Sequence, residues 1–194
     1  MGRLCVWILM DIIIPILQKD NAMHKAKIYM PTNDTFQPTN QMQTTYLDII
    51  NFIPTLDLTS YLNTLIGSSQ IAQKTMINNL QEFLFQELEN NFSGAKWTTE
   101  HKPTASQRDS IDIYADYSSF KVIIELDKYR ADQVSKKFLS RSALFKDENI
   151  IYIAFCYAGT QNMNAKEVIK YFNYANTISI KLENLFAGFI VEDI

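Results

Sequence analysis

Three acidic side chains, Asp112, Glu125 and Asp127, stand in a stretch where carboxylates are expensive to bury. Glu125 and Asp127 close an apolar run, 121–127 (KVIIELD). Side chains alternate along a regular strand, so these two share a face. Asp112 belongs to a second alternating segment, 111–116 (IDIYAD), whose Ile111 and Ile113 mark one dry face. If Asp112 ends the neighbouring strand on the same side, three carboxylates converge. Like charges that close repel and raise one another's pKa unless a cation stands among them. A donor set made only of oxygen favours a hard divalent ion such as Mg2+. A Mg2+ ion beside a basic helix suits phosphodiester chemistry, in which the metal generates hydroxide and stabilises charge on the leaving oxygen.

The elements that must position these groups run through 110–145 (SIDIYADYSSFKVIIELDKYRADQVSKKFLSRSALF). The pattern reads as an acidic strand, a polar break at Asp116–Ser119, an apolar strand and a basic helix. On that helix Lys137 follows Gln133 by one turn, beside an apolar stripe of Val134, Phe138 and Phe145, and Arg141 lies at the same border. Arg141 there is able to bind phosphate or neutralise Asp127. Upstream, 70–92 is the clearest helix, with Met76, Ile77, Leu80, Phe83, Leu84 and Leu88 on one stripe and Gly94 just beyond. Glu87 falls within its apolar arc; Glu82 and Glu89 fall opposite. An inward Glu of this kind is either a boundary residue that snorkels or one that points into a site.

The remaining pattern predicts a strand at 96–102, a strand buried on both faces at 150–158 (IIYIAFCYA), a helix at 164–174, a strand at 177–182 and a helical turn at 183–186. Two helical stretches, 46–53 and 56–66, precede them, and 30–45 reads as an irregular connection. The order predicts a mixed α/β domain with a central sheet. The apolar stretch 4–17 is interrupted by Asp11 and Pro15 and is too short to span a bilayer, so a packing helix is expected and no membrane role. Arg3 ahead of it is not followed by a small-residue cleavage site.

With 47% hydrophobic and 20% charged residues the chain has an ordinary globular composition. The net charge of −3 hides an asymmetry: 96–146 carries ten Lys/Arg against seven Asp/Glu, and the rest eight against fourteen. A local basic patch on an acidic protein still contacts phosphates. Cys5 and Cys156 read as free thiols, as in a reducing cytoplasm. His24 and His101, with no nearby nucleophile, argue against Ser/His or Cys/His catalysis and against zinc. No Gly-rich phosphate loop is present. Tyr114, Tyr117 and Tyr129 lie near the acids, where they are able to touch bases or sugar, although packing is their expected role.

The succession of an acid at Asp112, Glu125 closing an apolar strand, and a helix bearing Gln133 and Lys137 resembles the PD-(D/E)XK nuclease superfamily, over about half the chain (70–158). The resemblance implies a restriction-endonuclease-like core at 70–194, a central mixed sheet flanked by helices, with a helical and irregular N-terminal extension at 1–69. It implies Asp112 and Glu125 as metal ligands and a Lys that orients and activates water; Asp127, on the same strand face as Glu125, is a further candidate ligand. It also gives the helix at 70–92 the place of the core helix that in many members carries a further Glu; Glu87 takes that role, with Glu82 second.

Two departures stand out. Ile111 replaces the motif Pro, and Asp127 occupies the motif Lys position, with Lys128 one step later and facing the other side of a regular strand. The water-orienting Lys is therefore Lys128, if the strand ends or bulges there, or Lys137, relocated to the following helix. The implied function is a Mg2+-dependent endonuclease, with Mn2+ able to substitute, cutting DNA. Arg130, Gln133 and Arg141 would support the site or grip phosphate. Homodimerisation is common in the fold, and nothing in these residues shows it. Two alternatives remain: a degenerate nuclease-fold module that binds nucleic acid or protein, and an α/β domain whose acids merely pair with Arg108, Arg130 and Lys128.

Overall fold

The computed structural model describes residues 23–29, 40–103 and 110–193. Six strands form one sheet: β1 (His24–Ile28), β2 (Lys96–His101), β3 (Ile111–Asp116), β4 (Lys121–Lys128), β5 (Ile150–Tyr157) and β6 (Leu185–Asp193). Their order across the sheet is β1-β6-β5-β4-β3-β2. The centre, β4-β5-β6, is parallel, whereas β1, β2 and β3 pair antiparallel with their neighbours. The architecture is thus α/β, an open mixed sheet flanked by helices.

Parallel central strands must be covered on both faces, and their composition follows. All eight residues of β5, IIYIAFCY, are buried. One face packs against α1 (Gln41–Phe52) and α3 (Gln70–Asn91) through Ile49, Leu80, Leu84 and Leu88 over Ile124, Ile153 and Phe155. The other packs against α4 (Ala131–Leu144) and α5 (Lys166–Lys181) through Val134, Phe138, Val168 and Phe172 over Ile123, Tyr152 and Ile190. A four-residue helix, α2 (Thr59–Leu62), links α1 to α3. Asn40 and Ser69 cap α1 and α3 by accepting from the backbone N–H of Gln43 and Ala72.

The C-terminal third departs from the sequence reading. Residues 177–181 continue α5, with Leu182 as its C-cap, instead of forming a strand, and the strand is β6. Val168, Phe172, Ala175 and Ser179 make a buried stripe at helical spacing, while Ile178 and Ile180, whose alternation suggests a strand, are exposed. Glu183 adopts φ +57 where the helix stops, and Phe186 lies in β6, not in a helical turn. Gly188 matters here: a Cβ at that position would meet the Phe172 ring at 2.2 Å, so glycine lets α5 close on the sheet.

The described part of the expected extension is built into the domain. β1, unanticipated because HKAKI is short and basic, pairs with β6, and α1 joins the core of one sheet face. The apolar 4–17 stretch, Cys5, Arg108 and 30–39 lie outside the described residues. Among the described residues no helix is long and apolar enough to cross a membrane.

Candidate functional site

β3 and β4 hold the acids. Their antiparallel register pairs Ile113 with Ile124 and Tyr114 with Ile123, which brings Asp112 opposite Glu125 one step past the last ladder pair. The strand pairing is completed there by a side chain: Asp112 Oδ2 accepts from the Leu126 N–H at 2.7 Å. Gln81 of α3 donates to the Asp112 carbonyl at 2.9 Å and to Glu100 Oε1 at 3.1 Å, and so pins this end of β3 from the opposite face.

α4 supplies the cations. Lys137 and Arg141 are one turn apart and both turn inward. Lys137 Nζ stands 3.3 Å from Asp112 Oδ2, 2.9 Å from Glu125 Oε2 and 3.2 Å from Asp127 Oδ1. Arg141, 3% exposed, donates from Nε to Glu125 Oε1 at 2.7 Å and from Nη2 to the Ser110 carbonyl at 2.7 Å. Glu125 is 0% exposed. Its Oε2 is buried, and its partner is the Lys137 ammonium at 2.9 Å.

Three carboxylates meet two cations, so the cluster carries one surplus negative charge when all three acids are ionised. Burial, and then the Asp112 charge, push Glu125 up to about 7 against the pull of Lys137 and Arg141. Burial pushes Asp127 up to about 6. For Lys137 burial works downward, but the three carboxylates outweigh it and hold the ammonium above its ordinary value. Lys137 is therefore protonated here and is not a base. Next to Asp127 on β5 sits Cys156, whose thiol burial keeps protonated. The Tyr152 hydroxyl on the same sheet face is buried and has no hydrogen-bond partner among the described residues.

Three carboxylates are a donor chemistry that a hard divalent cation takes, and here the Lys137 ammonium occupies the point between them. The oxygens lie about 0.8–1.2 Å farther from Nζ than the 2.0–2.1 Å that Mg2+ demands. In this conformation no three His, Cys, Asp or Glu residues among those described are grouped tightly enough to cage a metal ion. The residues fit the ion chemically, and its entry requires them to draw inward.

Other expected site residues go elsewhere. Lys128 faces the α3 side as strand alternation dictates, its stem against Gly159 and its Nζ donating to Gln73 Oε1 at 2.9 Å. Lys137, not Lys128, meets the acids. Glu87 is half-buried on α3, on the sheet face away from the cluster, and Gln81 is the α3 side chain that reaches β3 beside Asp112. Glu82 is exposed and accepts from Gln86. Arg130 pairs with Asp132 at 2.9 Å, and Gln133 donates to the same carboxylate, both facing solvent at the start of α4. Arg141 is enclosed with its fork in use, so it is not placed to grip phosphate. Tyr114 stacks on His101, and Tyr117 on Phe120, as packing groups.

Sequence reasoning missed the Arg141–Glu125 clamp and the role of Gln81. The first had a signal, since two cations at i and i+4 after an acid-bearing strand match two inward positions; Gln81 had none. Comparison of the chain with protein-family models, with curated proteins and with solved structures gives no match.

Proposed function

We propose that this chain is a Mg2+-dependent nuclease of restriction-endonuclease-like fold that hydrolyses phosphodiester bonds in DNA. The observation that carries the reading is the convergence of Asp112, Glu125 and Asp127 on one point, three carboxylates against the two cations Lys137 and Arg141. Those three residues would hold the ion, which in the bound state supplies an activated water and charge stabilisation at the leaving oxygen. Arg141 fixes the rotamer of Glu125 and offsets its charge. Lys137, carrying its proton, orients water or a phosphate oxygen as a donor instead of deprotonating it. The Leu126 N–H fixes Asp112. Lys136, exposed Arg130 and exposed Lys146 lie on or beside α4 and supply the sequence-independent attraction for a phosphate backbone.

The test is plasmid cleavage by the full chain with Mg2+, with Mn2+ and with EDTA, alongside Asp112→Asn and Glu125→Gln. Both substitutions keep an oxygen where the hydrogen bonds need one. Metal-dependent cleavage lost in both variants supports the reading; cleavage retained in both assigns it to something other than this cluster.

One observation favours a second reading, an inactive module of the same fold that binds nucleic acid or protein. Lys137 already contacts all three carboxylates, as a purely structural ion-pair network would. Absence of both cleavage and metal binding selects it.

A further inference from the structure

The Lys137 ammonium and a divalent ion compete for one place. Nζ is the common neighbour of oxygens from Asp112, Glu125 and Asp127, all within 3.3 Å. We propose that Lys137 is a displaceable internal cation: it closes the carboxylate site until a divalent metal ion enters, and entry expels its ammonium toward solvent. The inference rests on the metal-site reading above and adds a device to it.

Three features support displacement over coexistence. Charge is the first. Three carboxylates, Arg141 and a divalent ion balance; retaining Lys137 among them would leave an uncompensated positive charge in a buried place. Space is the second. Drawing the oxygens in to Mg2+ distances closes the gap that the ammonium fills. Access is the third. The Lys137 side chain is 24% exposed, whereas Arg141 beside it is 3% exposed, so only Lys137 has a route outward. A four-carbon stem ending in a strongly hydrated point charge suits that movement, and a planar guanidinium held at Glu125 and Ser110 does not.

The same step places Lys137 for its second role. Once outside the carboxylates, its ammonium lies at the mouth of the site, where an incoming phosphate would replace the lost counter-charges. Metal entry and phosphate attraction are thereby coupled through one side chain.

The experiment titrates Mn2+ into the full chain and into Lys137→Met, following free Mn2+ by its paramagnetic resonance signal, with DNA cleavage measured in parallel. The expected result is Mn2+ binding by wild type and binding about tenfold or more tighter by Lys137→Met, equivalent to about 1.4 kcal/mol, together with slower cleavage. Lys137→Gln, which keeps hydrogen bonds to the carboxylates without the charge, should also bind more tightly; it serves if Lys137→Met fails to fold. Equal or weaker binding by both variants, with wild type still binding Mn2+ and cutting DNA, overturns the displacement and leaves the nuclease reading intact. No binding by wild type or either variant overturns both.

Discussion

Replacing Asp127 by Asn should make the protein more stable at neutral pH, although it removes one side of an ion pair. The carboxyl is 13% exposed, and burial raises it from 3.8 to about 6 with the attraction of Lys137 already included. At about 1.4 kcal/mol for each tenfold in the proton equilibrium, ionising it in the folded state costs about 3 kcal/mol relative to the unfolded chain. The sign follows from the direction. A carboxyl raised on folding costs nothing below about pH 4, and its cost grows up to about pH 6 and is constant above. Asn keeps an oxygen toward Lys137, carries no charge, and leaves two carboxylates balanced by two cations. For a chain of this length, about 3 kcal/mol corresponds to about 6–12 °C in Tm. Thermal melts by circular dichroism from pH 4.5 to pH 8 measure it. The variant should exceed wild type by only about 1 kcal/mol at pH 4.5 and by the full amount above pH 6.5. A variant less stable than wild type at pH 7.5 would refute the surplus charge, because Lys137 would then need all three partners.

Other expectations are equally concrete. Arg141→Met should destabilise by about 3–5 kcal/mol, because it strands the fully buried Glu125; chemical denaturation checks this. Lys128→Met should leave metal-dependent cleavage unchanged, since Lys128 donates to Gln73 on the opposite sheet face; a drop to the level of Asp112→Asn would return Lys128 to the site. Gly188→Ala should cost about 1–3 kcal/mol by pushing Phe172 off the sheet, read as a lower Tm.

Much of this arrangement is legible in the chain because it rests on period and charge. Strand alternation alone sets Glu125 and Asp127 on one face and Lys128 on the other, and the i, i+4 spacing sets Lys137 and Arg141 together. The helix at α3 and the buried strand β5 follow from apolar runs of the right length. What misleads is local pattern without its partner. Ile178 and Ile180 alternate like a strand, yet the helix wins because Val168, Phe172, Ala175 and Ser179 bury a stripe at helical spacing. β1 carries no strand signal of its own and exists because β6 offers it an edge. Glu87 lies in an apolar arc that faces its own side of the sheet, and a helical wheel does not say which side that is. Whether Arg141 reaches a phosphate or a carboxylate depends on its depth, which its spacing leaves open.

Diffraction from crystals of the full chain soaked in Mn2+, collected for the anomalous signal of manganese, tests the central claim most directly. The expected map holds one peak among the carboxyl oxygens of Asp112, Glu125 and Asp127, with the Lys137 side chain turned outward. A map without that peak at saturating Mn2+, with the Lys137 ammonium still between the three acids, would contradict it.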